Sequence, residues 1–299
     1  MSLEVFNFNP MNPQAKPYQE ALATMEKKLI VQRYSESTIN IYRYMFREFL
    51  KYLYPMPLHK VTLEDITRYH HFLVVKRNVS RSYQNQSINS IKFYLEQVAG
   101  MDRTVYELER PKKEQKLPTV LSQEEIGRLL SRVNNLKHKA ILVTIYSCGL
   151  RISELLNLQI GDVDSDRMEV RIRGGKGKKD RITILSPLLL KLLRMYFKAY
   201  RPVKYLFEGP NGGPYSASSI RKILERAVKR AGIQKSVVVH TLRHSFGTHL
   251  LENGTNLRYI QVLMGHGSPK TTEIYTHVAQ GDIHKVVSPL DHLNATGYI

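Results

Sequence analysis

The sequence predicts a mainly α protein, with a four-helix N-terminal domain and a C-terminal mixed α+β domain holding a small β-hairpin or sheet. Three observations carry this. Apolar residues recur every three or four positions in four segments before residue 100. Between 167 and 185 the period drops to two, as Met168, Val170 and Ile172 alternate with Glu169, Arg171 and Arg173. The proline-bounded charged run from Arg110 to Pro118 reads as a linker between two cores, for which 299 residues suffice. The expected boundaries are a domain at 18–108, a linker at 109–118 and a second domain at 119–299.

In chain order, residues 1–17 are rich in Asn and Pro and read as irregular. Leu22, Met25, Leu29 and Ile30 mark one face of a first helix from Tyr18 to Val31. Ser35 and Ser37 are cap candidates for a second, carrying Ile39, Tyr42, Met45, Phe46, Phe49 and Leu53 and stopped by Pro55 and Pro57. A third begins at Thr62-Leu-Glu-Asp and runs to about Arg77; a fourth spans Ser80 to Ala99. Short loops between amphipathic helices predict a bundle. Its outer faces would carry Arg33, Arg43, Arg47, Lys51, Arg68, Lys76, Arg77, Arg81 and Lys92, as a solvated surface or a DNA-facing groove.

Past the linker, Ser122-Gln-Glu-Glu125 is a capping box, and 138–147 is a nearly all-apolar helix destined for burial. Gly149-Leu-Arg turns tightly into another helix starting near Arg151. In the hairpin, Ile182, Ile184 and Leu185 are read as answering the apolar positions of the first strand, around a Gly174-Gly-Lys-Gly-Lys-Lys-Asp180 tip. Helices follow at about 187–199 and 216–231, then one containing His240 and Arg243 on a shared face. Gly254 reads as a helix end, and another helix from Asn256 to Met264 stops at Gly265.

Forty-five Lys and Arg against 26 Asp and Glu give a net charge of +19, distributed as +4 over 1–110 and +15 over 111–299. A basic domain of this kind without a membrane-type amphipathic tail points to nucleic acid. No run approaches the 18 apolar residues of a membrane span, and the N-terminus lacks the basic and apolar regions of a secretory signal. The single cysteine, Cys148, excludes internal disulfides and a cysteine-rich zinc site, and reads as a small buried hydrophobe. A cytoplasmic, nucleoid-associated protein without membrane contact is expected.

Chemistry concentrates between 240 and 277, where His240, Arg243, His244, His249, His266, Tyr275 and His277 gather. A P-loop at the hairpin tip fails, because no Ser or Thr follows Lys176 or Lys178 and a hairpin replaces the strand-to-helix context. A metal site is poorly supported: His240 and His244 have the right spacing, but no glutamate follows His240 and no cysteine or carboxylate pair stands nearby. A phenolate attacking a phosphodiester fits the set better. A free tyrosine ionises near pH 10, so nearby cations are needed. Two arginines would neutralise the non-bridging oxygens through bidentate hydrogen bonds, and a lysine or histidine would protonate the leaving oxygen.

Taken together, Gly149-Leu-Arg151 with Ile152-Ser-Glu154, the hairpin Lys176, His240-x-x-Arg243, Gly265-His266 and Ile274-Tyr275 resemble the signature of the tyrosine recombinase family, of phage-integrase or Xer type, in family order. The resemblance covers 118–290 strongly and 18–100 by helix count, as the SAM-like core-binding domain that clamps DNA. It implies Tyr275 as nucleophile, Arg151 and Arg243 on the scissile phosphate, and Lys176 as general acid. It further implies His240 assisting proton transfer, His266 hydrogen-bonding the phosphate, and Glu154 orienting the site. Lys178 and Lys179 compete with Lys176, which fits best by its Gly-Gly-Lys-Gly setting. His244, His249 and His277 are read as packing or surface.

The activity implied is site-specific strand exchange on double-stranded DNA, with no cofactor, metal or ATP. Self-association into a tetramer on paired sites is also implied, with 282–299 passed to a neighbouring protomer or folded back on its own; any accessory protein is left open. The residues before 18 are too few for the arm-binding domain of some phage integrases, which favours a two-domain, Xer-like enzyme. The competing readings are a non-catalytic DNA-binding protein, a type IB topoisomerase-like enzyme and a metal-dependent nuclease.

Overall fold

The computed structural model describes residues 16–102, 108–112, 117–174, 180–266 and 268–276. Lys176, Lys178, Lys179, His277 and the segment 282–299 lie outside the described residues. The chain divides into two compact units, 1–114 and 115–299. No described helix is long and apolar enough to cross a membrane.

The first unit holds α1 (Lys16–Val31), α2 (Glu36–Leu53), α3 (Leu63–Val75) and α4 (Arg81–Gln97). Side-chain caps set where they start. Ser35 and Ser80 accept the amides of Thr38 and Tyr83, and Thr62 and Asp65 form a reciprocal box. The core is the predicted apolar faces: Met25 and Leu29, Phe46 and Phe49, Leu73, Ile88 and Ile91 are all buried. Phe46 stacks on Tyr94 at 4.3 Å between ring centroids, and Ser90 Oγ donates to the Tyr42 carbonyl at 2.7 Å, fastening α4 to α2. Several of the basic side chains expected on the outside are paired with carboxylates. Arg43 meets Glu26, Arg68 meets Asp65, Lys92 meets Glu96, and Lys51 and Arg77 share Glu48.

The second unit is built around α6 (Leu136–Cys148), whose Ala140, Ile141, Leu142, Ile145 and Cys148 are wholly enclosed. Before it lies α5 (Gln123–Ser131), after it α7 (Ile152–Asn157). The strands β1 (Val163–Asp164), β2 (Glu169–Ile172) and β3 (Arg181–Ile184) pair antiparallel in the order β1-β2-β3. Then come α8 (Pro187–Tyr200), α9 (Ala217–Arg230), α10 (Val239–Glu252), α11 (Leu257–Met264) and α12 (Lys270–Glu273). Helices α8, α9 and α10 pack on α6. An apolar helix with neighbours on several sides needs no polar stripe.

One expectation reverses. Val170 pairs with Thr183 and Ile172 with Arg181, so these four residues share the inner face. Ile182 and Ile184 are therefore turned outward, 46% and 40% exposed. A one-residue shift of phase sends a whole strand's side chains to the other face. The inward choice is stabilised by the end of α6, whose last carbonyls lack helical partners. Thr183 Oγ1 donates to the Cys148 carbonyl at 3.0 Å, and Arg181 Nη2 to that of Gly149 at 3.4 Å.

Candidate active site

Five of the six predicted residues fall within the described part of the second unit, in or at the ends of four helices. Arg151 caps the start of α7, one residue beyond Leu150. His240 and Arg243 lie in the first half of α10. His266 follows the αL residue Gly265 at the end of α11, and Tyr275 lies just past α12. Lys176 lies outside the described residues.

Glu154 organises the arginines. Its side chain is 3% exposed and faces three guanidinium groups. Arg151 Nη1 reaches Oε1 at 2.6 Å, Arg181 Nη2 reaches Oε2 at 2.8 Å, and Arg243 Nη1 stands 3.5 Å from Oε2. The backbone amide of Arg151 adds a bond to Oε2 at 2.9 Å. Burial alone would raise the carboxyl's pKa, but Arg181, then Arg151 and Arg243, hold it below the ordinary value.

The same arginines also reach the end of α11, where three successive carbonyls point out of the helix. Arg181 donates to Leu263, Arg243 to Met264, and Arg151 Nη2 to Gly265 at 3.5 Å. A helix C-terminus carries partial negative charge, so cations are favoured there. Arg243 is completely buried and also donates to the Gly149 carbonyl at 2.6 Å. Burial, then repulsion from Arg151, pushes its pKa down to about 9 against the pull of Glu154. Gly265 is indispensable to this approach. It sits at φ +61, and a Cβ there would stand 2.5 Å from Cδ of Arg181.

Tyr275 is fully buried, and its hydroxyl has no hydrogen-bond partner among the described residues. Its ring stacks on His266 at 6.1 Å and 20° and tilts against His244 at 5.8 Å. It lies close against α10 because residue 247 is glycine, where a Cβ would come within 2.8 Å of the phenol ring. Burial pushes the phenol's pKa up to about 12, a rise that Arg243 and Arg151 partly offset. The phenol is therefore protonated in this state. The histidines are neutral at neutral pH. His266 is pushed down to about 3 by burial and by Arg243 and Arg151, and His244 to about 4 by burial and by His240. Desolvation and Arg243 also lower His240. His266 Nδ1 lies 2.9 Å from Oγ1 of the buried Thr272, which fixes the ring.

The structure thus brings Arg151, Arg243, His266 and Tyr275 to one place and links His240 to it through His244, whose ring meets His240 edge-on at 4.5 Å. His240 and Arg243 differ more than their shared face suggests, the first exposed and the second enclosed. His249 packs, with Nδ1 2.9 Å from the Tyr146 hydroxyl. Two neighbours of the site, Arg181 and Thr272, have no role in the sequence reading, and His244, read there as packing or surface, packs on the Tyr275 ring. Arg181 carried no local signal, since the register that sets it opposite Ile172 is fixed by tertiary contact. Thr272 had none beyond proximity. Among the described residues, no group of three or more His, Cys, Asp or Glu side chains is placed to hold a metal ion.

Comparison with known proteins settles what kind of protein carries this arrangement. The profile of the phage integrase family matches residues 119–281. This chain belongs to that family. The N-terminal SAM-like domain of phage integrases matches 22–104. A putative integrase/recombinase of Sinorhizobium fredii, y4qK, is 40% identical over 232 residues, covering 77% of this chain and 75% of that protein. A tyrosine recombinase of Thermosipho africanus is 33% identical over 273 residues, covering 87% and 95%. The crystal structure of the XerH site-specific recombinase bound to its difH substrate, a pre-cleavage complex, shares the fold. It has a TM-score of 0.68 and 20% identity, over 96% of this chain and 90% of that one. The chain is thus a site-specific tyrosine recombinase, as the ordered motifs around Arg151, Arg243 and Tyr275 lead one to expect.

Proposed function

We propose that this recombinase cuts and rejoins double-stranded DNA at a specific site through a 3′-phosphotyrosyl link to Tyr275. The observation that carries the reading is the convergence of Arg151, Arg243 and His266 on an enclosed phenol without a hydrogen-bond partner among the described residues. In this reading the Tyr275 oxygen attacks phosphorus while the bond to the 5′ oxygen breaks. Arg151 and Arg243 take up charge from the non-bridging oxygens of the pentacoordinate state, and His266 donates to one of them. Lys176 protonates the departing 5′ oxygen, and His240, neutral and linked to Tyr275 through His244, assists by taking up the proton that the phenol loses. Attack by another strand's 5′-hydroxyl reverses the step. The phosphate ester is conserved throughout, so the step needs no ATP, and in this reading the arginines supply the charge that a metal would otherwise bring.

Tyr275 is enclosed in the DNA-free protein, so engagement of DNA has to uncover it. The charge of +15 over 111–299 supplies the attraction, and binding weakens steeply with salt. We assign the first unit to DNA binding as a core-binding domain, and the active assembly to four protomers on two paired sites, acting in the cytoplasm. Residues 282–299 carry Ile283, Val286, Val287, Leu290 and Leu293, an apolar spacing suited to docking on a neighbouring protomer.

The test is a covalent adduct. Wild type and Tyr275→Phe are incubated in EDTA with nicked duplexes from a sequence library and run on denaturing gels. A band resistant to SDS in wild type alone is expected. The same band in both proteins would move the nucleophile elsewhere. Salt-sensitive binding with no band, on a duplex shown to be the protein's own site, would leave a DNA-binding protein without catalysis.

A further inference from the structure

Arg181 belongs to neither the motif set nor the roles assigned above, yet it is the most heavily used side chain of the sheet. It lies at the first position of β3, directly after the tip that carries Lys176. It is 9% exposed, and its guanidinium joins three separate pieces of the site. One is the Glu154 carboxylate at 2.8 Å, another the Gly149 carbonyl at the end of α6, and the third the Leu263 carbonyl at the end of α11.

We infer that Arg181 is a positioning residue for strand cleavage, holding Glu154 and the end of α11 so that Arg151 and Arg243 present their forks to one phosphate. The argument is geometric. Arg151 and Arg243 share both of their anchors with Arg181: the Glu154 carboxylate, and three successive carbonyls at 263, 264 and 265. A carboxylate facing two guanidiniums has freedom to follow either one. A third, entering from the sheet on the Oε2 side, leaves Oε1 to Arg151. Because Arg181 is rooted in β3, the arginine pair is also tied to the strand that leads out of the lysine tip. The phosphate clamp thereby rests on one frame of strand and helix ends. Loss of geometry of an ångström or less in such a frame is felt in the rate rather than in binding.

The alternative is that Arg181 only fills space and neutralises charge in the core. The two differ in pH dependence. Arg181 is the largest influence holding the Glu154 carboxyl down against burial. Without it Glu154 takes up a proton as pH falls and releases Arg151 and Arg243. Cleavage by Arg181→Gln is therefore expected to be slower by roughly tenfold or more, with DNA affinity near that of wild type. Its rate should also fall at acid pH where the wild-type rate does not. Arg181→Lys keeps the charge but reaches fewer acceptors. It should retain the wild-type pH profile at a rate between the two.

The experiment measures single-turnover adduct formation from pH 5 to 9 for wild type, Arg181→Gln and Arg181→Lys, with DNA affinity determined alongside. The inference rests on the strand-transfer reading. A wild-type protein that forms no adduct overturns both. A wild-type protein that forms one, while Arg181→Gln matches it or is slowed evenly at every pH, overturns this inference alone. Should Arg181→Gln not fold, Arg181→Lys decides: the full wild-type rate would contradict the inference, and a reduced rate with an unchanged pH profile would support it.

Discussion

Arginines meet carboxylates in both units of this chain, in opposite settings. On the first, Arg43 lies 3.1 Å from Glu26 with the two side chains 41% and 33% exposed. In the second, Arg181 and Arg243 face Glu154 with all three between 0% and 6% exposed. An exposed pair gains little, because water and salt already screen both charges. An enclosed cluster costs desolvation that its mutual attraction must offset, so it is poor evidence for stability in itself. What the enclosed set gives is direction. Each guanidinium is held by several acceptors, and two of them, Arg243 and Arg151, act electrostatically on the Tyr275 phenol.

Removing the shared anion is the sharpest way to break this contrast. Glu154→Ala leaves three guanidiniums converging without a counter-charge and is expected to cost about 3–5 kcal/mol, read as a lower urea midpoint. A loss under 1 kcal/mol would mean that the helix-end carbonyls suffice.

A backbone change comes next. Gly265→Ala forces an L residue into the left-handed region, at about 1–2 kcal/mol, and drives a methyl group against Arg181 Cδ. It should lower both thermal stability and cleavage rate, and loss of stability with wild-type cleavage would uncouple Gly265 from the site.

Acid exposes the site in a comparable way. His244 and His266 titrate near 4 and 3 when folded, against an ordinary 6.5. The neutral forms therefore contribute stability that is complete above about pH 6.5 and is lost as pH falls through their folded values. Allowing for partial screening by solvent, about 1–2 kcal/mol should go between pH 6.5 and 4. A His244→Asn, His266→Asn double variant should show a flatter melting curve against pH in that range, and an unchanged slope would contradict the assignment.

The smallest effect is expected on the first unit. Glu26→Ala should change stability by less than about 1 kcal/mol, and raising the salt should erase even that difference. A larger loss would mean the surface pair is organised after all.

Much of this was legible beforehand. Helix periods placed α1 to α4 and α8 to α11 within a few residues, because amphipathic spacing and caps such as Ser35, Thr62 and Ser122 act locally. The motif residues around Tyr275 were named through the family resemblance instead, each in a fixed setting such as Gly149-Leu-Arg151 or Gly265-His266. The phase of β3 was not legible. Its inward Arg181 and Thr183 are explained only by the carbonyls at the end of α6, which lie more than thirty residues away in sequence. Partners set by tertiary contact leave no local period to read. The same holds for His244, which is indistinguishable from a packing histidine until Tyr275 is seen against it.

Strand exchange through Tyr275 turns on one bond. Wild-type adduct, trapped on a suicide substrate nicked near the cleavage site, would be digested with protease and nuclease and the nucleotide-bearing peptide sequenced by mass spectrometry. A 3′-phosphate linked to Tyr275 is the predicted result. Linkage to another residue, or through a 5′-phosphate, would contradict it.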